Sequence, residues 1–312
     1  MKAKPFLKWA GGKSQLLAQI EARFPMDWQQ KIDTYIEPFV GAGALFFEMI
    51  EKKNIKHAYI SDVNADLILT YKVIQQYPEK LATYLTAYQQ EYDKTPQSDR
   101  NALFLSVRKA FNETRNEIKT PIFAENWAIR AAQLIFLNKT CFNGLFRLNS
   151  KGEFNVPYGE YKTAQIANIA NIWAVSQVLA NTEIRCADYT ACFEAIHERA
   201  FVYFDPPYRP LSKTASFTNY AGAEFTDKNQ IELAHFFARI SKETGAKAML
   251  SNSDPQNINT EDIFFEKIFA DYHIHKVSAN RAINSKGDKR GSIKELLITN
   301  YEYERCAMEL YF

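Results

Sequence analysis

Apolar positions along this chain fall into two patterns. Short blocks rich in β-branched and aromatic residues end abruptly at a carboxylate or an amide. They are Thr34 to Glu37, Lys56 to Ser61 before Asp62, Thr182 to Ala187 before Asp188, Ala200 to Phe204 before Asp205, and Ala246 to Ser251 before Asn252. Such blocks predict strands that stop at a defined edge. Two later segments, Ile274 to Ala279 and Glu295 to Tyr301, predict neighbouring strands joined by a basic loop, making seven strands in all. The second pattern is helical. From about Leu67 to Leu137 apolar residues recur at helical spacing, as in Leu81, Tyr84, Leu85 and Tyr88, with a polar break from Asp93 to Arg100 and no intervening strand. The economical reading is an α/β sheet domain formed by 1–66 and 163–312, with 67–162 inserted as a helical unit. Within that insertion, Asn138 to Tyr161 carries Asn143-Gly144, Ser150-Lys151-Gly152 and Pro157-Tyr158-Gly159. The segments flanking Ser150-Lys151-Gly152 predict a β-hairpin.

The block Ala200 to Phe204 is followed by Asp205-Pro206-Pro207-Tyr208. In open α/β sheets the carboxyl edge of the strands is where ligands sit. There the four residues suit the gripping of a planar amino group. The carboxylate accepts one N–H, and the Pro206 carbonyl, aimed by the stiff double proline, accepts a second. The Tyr208 ring stacks on a base. A plain turn leaving a strand is the competing reading of this motif taken alone.

Near the first strand, Glu37-Pro38-Phe39-Val40-Gly41-Ala42-Gly43 precedes an apolar helical run. Gly41 and Gly43 allow a tight turn and close approach of a ligand to the backbone. The third glycine of a dinucleotide fingerprint would fall at position 46, which is Phe46, and this argues against a pyrophosphate. Glu37 points the same way, because a carboxylate repels phosphate and attracts a sulfonium or an ammonium. Asp62, 19 residues after Gly43, lies where a carboxylate holds ribose hydroxyls. A cationic nucleoside without phosphate fits S-adenosylmethionine better than NAD. Ala10-Gly11-Gly12-Lys13-Ser14 is not a P-loop, since Leu7 stands where that motif needs glycine. Lys13 can instead meet a carboxylate, such as the methionine end of the cofactor.

Composition narrows the class only modestly. The net charge of +2 requires any basic DNA-binding surface to be local. Four cysteines without CxxC spacing read as reduced thiols, and no metal set is expected. Neither a leader nor an apolar run of membrane-spanning length is visible, so a cytoplasmic protein without a membrane partner is expected.

Taken in order, Lys8-Trp9-Ala10-Gly11-Gly12-Lys13, the glycine turn and Asp205-Pro206-Pro207-Tyr208 resemble the DNA adenine-N6 methyltransferases, most closely the Dam and DpnII type. The resemblance runs over essentially the whole chain. It includes Asn143-Gly144-Leu145-Phe146-Arg147, Gly152-Glu153-Phe154-Asn155-Val156-Pro157-Tyr158-Gly159 and Glu295-Leu296-Leu297-Ile298-Thr299-Asn300-Tyr301. It implies a seven-stranded, Rossmann-like methyltransferase sheet with a helical target-recognition domain. It further implies that Trp9, Lys13, Glu37, Phe39, Asp62 and Asp188 line the cofactor pocket, with Gly41 and Gly43 in the turn. The implied target is GATC in double-stranded DNA.

On this reading the target adenine is flipped out of the duplex. Asp205 and the Pro206 carbonyl hold its amino hydrogens, and the Tyr208 ring stacks without needing its hydroxyl. Arg147 is the candidate guanine contact, since a bidentate fork to O6 and N7 is the commonest specific pairing, with a phosphate contact or a surface charge as alternatives. Leu145 and Pro157 can touch a thymine methyl, and Phe142 can wedge into the base stack. Asn143 and Tyr161 belong to the same DNA-facing segment. Arg281, Lys289 and Arg290 fall in a basic loop, 281–294, that meets phosphates or is simply solvated. The family usually carries arginine and then tyrosine after Tyr158-Gly159, whereas this chain has Glu160-Tyr161. That departure bears on the target sequence and not on the chemistry. RNA or protein amino-group methylation, or a silent DNA-binding relative, are the competing functions. A monomer is expected, and a separately encoded restriction endonuclease remains open.

Overall fold

The five apolar residues Ala200–Phe204 form a central strand buried along its whole length. The computed structural model describes residues 2–9, 13–115, 125–210, 225–280 and 292–303. In chain order the helices and strands are α1 (Leu17–Glu21), α2 (Trp28–Lys31), β1 (Thr34–Glu37), α3 (Ala44–Lys52), β2 (His57–Asp62), α4 (Ala65–Gln76), α5 (Pro78–Lys94), α6 (Arg100–Glu113), α7 (Glu125–Thr140), α8 (Ile169–Leu179), β3 (Thr182–Cys186), β4 (Ala200–Phe204), α9 (Asp227–Glu243), β5 (Lys247–Ser253), α10 (Phe264–Ile268), β6 (His273–Asn280) and β7 (Ser292–Thr299). The seven strands make one sheet in the order β3-β2-β1-β4-β5-β7-β6. The pairs among the first five are parallel, and β7 runs antiparallel to both of its neighbours. This is a mixed α/β, Rossmann-like methyltransferase sheet.

Strand pleating divides the core. Phe201 and Tyr203 of β4 face one apolar cluster, while Ala200, Val202 and Phe204 face another on the opposite side. The first cluster extends from the sheet into the helices, where it takes in Leu81, Leu85, Phe104 and Phe136. Strand order reverses at the junction of β1 and β4, so the carboxyl ends of these strands open a crevice between them.

The observed boundaries correct the sequence reading in four places. The helical stretch starts at Ala65, because the Asn64 side chain caps α4 by accepting from the Leu67 N–H. β5 continues to Ser253, since Asn252 and Ser253 pair with Leu296 and Glu295. β7 begins at Ser292, pairing with β6 from Asn280 onward, so Lys294 belongs to a strand and not to the basic loop. β7 ends at Thr299, because the Asn300 side chain bonds to the backbone of Ala246 and Ala248. The expected hairpin is reduced to one antiparallel bridge, Leu148 with Phe154. The Asn149 side chain closes its turn by accepting from the N–H groups of Lys151 and Glu153. The bridge is flanked by bonds from the Asn149 N–H to the Glu153 carbonyl and from the Asn155 N–H to the Arg147 carbonyl, and Asn112 of α6 takes both backbone groups of Phe154 on its outer edge.

Candidate active site

Four carboxylates stand in a row along the carboxyl edge of the parallel strands. In spatial order they are Asp188 after β3, Asp62 at the end of β2, Glu37 at the end of β1 and Asp205 after β4. Each lies where its strand stops, so sheet pairing brings together residues that are far apart in sequence.

Asp205 anchors one end of this row. Its Oδ1 accepts from the Lys13 ammonium at 2.8 Å and from the Ser251 hydroxyl at 2.9 Å. Lys13 is buried, and its Nζ also lies 4.5 Å from the centre of the Tyr208 ring. The turn itself is clamped from neighbouring elements. Gln230 of α9 donates to the Pro207 carbonyl, Asn252 accepts from the Arg209 N–H, and Ser253 donates to the Arg209 carbonyl. Arg209 forks onto Asp227 and reaches Asp262. A plain turn has no need of such clamping. The Tyr208 hydroxyl, which base stacking alone does not require, donates to Glu295 at 2.5 Å and so fixes the tilt of the ring. Burial raises the Glu295 carboxyl above its ordinary range.

At the glycine turn, Gly41 and Gly43 both have positive φ, 49° and 72°. A Cβ on Gly41 would sit 3.0 Å from the Trp9 ring, and one on Gly43 would sit 2.7 Å from the Tyr71 hydroxyl. Both positions therefore need glycine for backbone and for space. Asp62 accepts from the N–H groups of Gly41 and Asn64, but desolvation outweighs these bonds and raises its carboxyl. Phe39 stacks on Tyr189 at 5.4 Å, next to Asp188, whose Oδ1 accepts from the N–H and hydroxyl of Thr190. Among the described residues the arrangement offers carboxylates and aromatic faces to a cationic nucleoside and no cradle of basic groups for phosphate. The residues present thus fit S-adenosylmethionine.

The expected DNA-facing residues gather on one segment. The Phe142 N–H donates to the Pro157 carbonyl, and the Asn143 N–H donates to the Tyr161 hydroxyl. Phe142 is half exposed, Leu145 packs partly against the core, and Arg147 is tied to Asn155 through Nε. Asn143 and Glu160 are the described non-glycine residues with positive φ, both at 55°. Trp9 links this segment to the cofactor turn, since its ring stacks on Phe146 while abutting Gly41. Asn138 secures the junction by bonding both backbone groups of Lys8 and the Gly144 carbonyl. Arg281, Lys289 and Arg290 lie outside the described residues. Among the described residues no group of His, Cys, Asp and Glu is placed to hold a metal ion, and no helix is long and apolar enough to cross a membrane.

The family model for D12 class N6 adenine-specific DNA methyltransferase matches residues 9–283, which include the glycine turn, Asn138 to Tyr161 and Asp205-Pro206-Pro207-Tyr208. The chain belongs to this family. It is 46% identical over 306 residues to the Type II methyltransferase M.MjaIII of Methanocaldococcus jannaschii, covering 96% of this chain and 100% of that one. It is 32% identical over 298 residues to the DNA adenine methylase of Vibrio cholerae, and 30% identical over 297 residues to that of Escherichia coli K12, with 95% of each chain covered in both cases. The protein is thus an adenine-specific DNA methyltransferase.

Reasoning from sequence missed several residues that support this methyltransferase site. Ser251, Gln230, Asn252 and Glu295 each reach the Asp205 to Arg209 turn from another strand or helix, and Tyr203 of β4 backs Ser251. Glu295 opens the segment Glu295 to Tyr301 that carries part of the resemblance but had no role attached, and the position of Ser251 to Ser253 at a strand end, a place already associated with function, could have pointed to Ser251 and Asn252. Tyr35 is a further case. Its buried hydroxyl donates to Glu37 at 2.7 Å. Desolvation, reinforced by Asp205, nevertheless raises the Glu37 carboxyl well above its ordinary value, against the opposing effects of Tyr35 and Lys13. The folded state therefore holds this proton more tightly than the unfolded chain does. Stability must fall as pH rises from the unfolded value, about 4.3, toward the raised folded one. Glu37→Gln keeps the acceptor for Tyr35 and removes that loss. Its melting temperature relative to the wild type is expected to rise steadily from about pH 5 to about pH 8. A constant difference across that range would refute the assignment.

Proposed function

We propose that this methyltransferase transfers the methyl group of S-adenosylmethionine to N6 of an adenine flipped out of double-stranded DNA, within the sequence GATC. The observation that carries this reading is the position of the Lys13 ammonium. A nitrogen bearing hydrogens sits 2.8 Å from Asp205 and over the face of Tyr208. That is the posture the acceptor amine of a stacked base requires. Bound S-adenosylmethionine supplies an electrophilic methyl on a sulfonium. Asp205 and the Pro206 carbonyl accept the N–H bonds of the amine, whose lone pair is otherwise delocalised into the ring, and stabilise the positive charge that develops on nitrogen. The Tyr208 ring holds the base in line for displacement. Pro207 stiffens the turn.

Glu37, Asp62 and Asp188 hold the cationic nucleoside along the strand ends, with Phe39, Trp9, Gly41 and Gly43 shaping its pocket. Lys13 meets its carboxylate once the acceptor amine has taken Asp205. Glu37 gives up its proton as a cation settles beside it, so cofactor binding is coupled to proton release. Residues 67–162 act as the target-recognition unit. Arg147 reads guanine, Leu145 and Pro157 meet a thymine methyl, Phe142 wedges into the stack, and Asn143 and Tyr161 position the segment. Glu160 projects from that surface as an exposed carboxylate.

The test is transfer of labelled methyl to two matched duplexes, one with a single GATC and one with it scrambled. Label on the GATC duplex alone is expected. Equal label on both would discard GATC and direct attention to Glu160. No label on either, with cofactor still bound, would discard the reaction as proposed.

A further inference from the structure

Ser251 is fully buried on β5 beneath the catalytic turn, in a place where packing alone would favour alanine or valine. Its Oγ lies 2.9 Å from Asp205 Oδ1 and 3.0 Å from the Tyr203 hydroxyl. The direction of these bonds is fixed by chemistry. The Phe204 carbonyl also lies 3.4 Å from Oγ, but Asp205 Oδ1 is nearer and an ionised carboxylate is the stronger acceptor, so Ser251 gives its single hydrogen to Asp205. With that hydrogen committed, the contact with Tyr203 requires the phenol to donate to Ser251. Burial keeps the Tyr203 phenol protonated, an effect that the neighbouring Asp205 charge strengthens. The result is a directed chain from Tyr203 through Ser251 to Asp205, drawn from two adjacent strands. Lys13 donates to the same oxygen, Oδ1. Among the described residues both donors to Asp205 thus converge on Oδ1.

We propose that Ser251, backed by Tyr203, is a positioning residue that locks the rotation of the Asp205 carboxylate, so that Oδ1, now bonded to Lys13, is held in place for the N–H of the acceptor amine that takes the position of the ammonium. The inference rests on the reading that Asp205 holds that amine. It also accounts for a buried serine and a buried tyrosine that the sheet core does not need as polar groups. Without Ser251 the carboxylate can rotate and must be reordered at each encounter, which penalises the chemical step and leaves ground-state binding intact.

The experiment measures single-turnover methyl transfer, cofactor affinity, DNA affinity and melting temperature for Ser251→Ala, Ser251→Thr, Tyr203→Phe, Ser251→Ala with Tyr203→Phe, and Asp205→Ala. Ser251→Ala is expected to slow methyl transfer about 10- to 100-fold, the loss expected for one hydrogen bond to a charged group. Both affinities should stay within about threefold. Ser251→Thr, which keeps the hydroxyl, should recover most of the rate. Tyr203→Phe should cost only a few-fold, and the double variant should be no slower than Ser251→Ala, because both substitutions act through one chain. A wild-type rate for Ser251→Ala beside an inactive Asp205→Ala would overturn the positioning role and leave the amine reading standing. Equal losses of rate, cofactor affinity and melting temperature in Ser251→Ala, without recovery in Ser251→Thr, would overturn it in favour of a structural role. Turnover by Asp205→Ala would remove the reading on which the inference rests.

Discussion

Asp205→Ala is expected to lower single-turnover methyl transfer by about a thousandfold or more, with cofactor affinity within a few-fold of the wild type. On the proposed mechanism the carboxylate faces the nitrogen on which positive charge develops, and preorganised electrostatic groups of this kind are worth about 10²–10³ each in rate. Here the same group also orients the amine, which adds to the loss. Glu37, Asp62 and Asp188, proposed to hold the cofactor, stand at the ends of other strands and remain in place. Asp205→Asn separates charge from shape. It keeps an acceptor for Ser251 and lacks the negative charge opposite Lys13, so it should lose most of the rate with less perturbation of the site. Comparable loss of rate and cofactor binding in both variants would assign Asp205 a structural role.

The second large effect is on stability. Arg130 of α7 is buried and forks onto Asp66 of α4, with Nε to Oδ1 at 2.6 Å and Nη2 to Oδ2 at 3.2 Å. Its Nη1 donates to the Phe111 carbonyl and the Thr114 hydroxyl at the end of α6, and its guanidinium lies over the Phe111 ring at 4.0 Å. One side chain therefore ties three helices together while satisfying a buried carboxylate. Arg130→Met preserves much of the volume but leaves Asp66 without its counter-charge. Breaking a buried pair from one side typically costs about 3–5 kcal/mol. For a protein of this size, a fall in melting temperature of roughly 5–15 °C is expected. Adding Asp66→Asn should restore part of it, since the uncompensated charge is then gone. A shift of less than about 1 kcal/mol in Arg130→Met would show that the pair is surface-like in effect.

Much of the site was legible along the chain because strand ends announce themselves chemically. The apolar run Ala200–Phe204 followed by Asp205 and two prolines marks both a buried strand and its edge. The same logic placed Glu37, Asp62 and Asp188 at strand ends, and the positive φ of Gly41 and Gly43 follows from the need for a tight turn. Strand boundaries were less legible on the antiparallel side. Polar residues such as Ser253, Ser292 and Lys294 join strands through pairing and not through apolar character. The hairpin around Ser150-Lys151-Gly152 was legible but is short, because turn residues predict a turn but cannot reveal that Asn112 of α6 will take the outer edge of Phe154.

By itself the sequence determined the class of fold, the carboxylates at the strand ends, and the motifs that identify an adenine-specific DNA methyltransferase. These are local properties, set by the period of burial and by the stereochemistry of proline and glycine. Only the tertiary structure decided that Lys13 meets Asp205, that Glu295 holds the Tyr208 hydroxyl, and that Ser251 and Tyr203 stand behind the catalytic carboxylate. Those contacts join residues from 46 to 192 positions apart (Ser251 to Asp205, Lys13 to Asp205). They arise where β4, β5, β7 and the segment at Lys13 are brought side by side, which no periodicity along a single chain encodes.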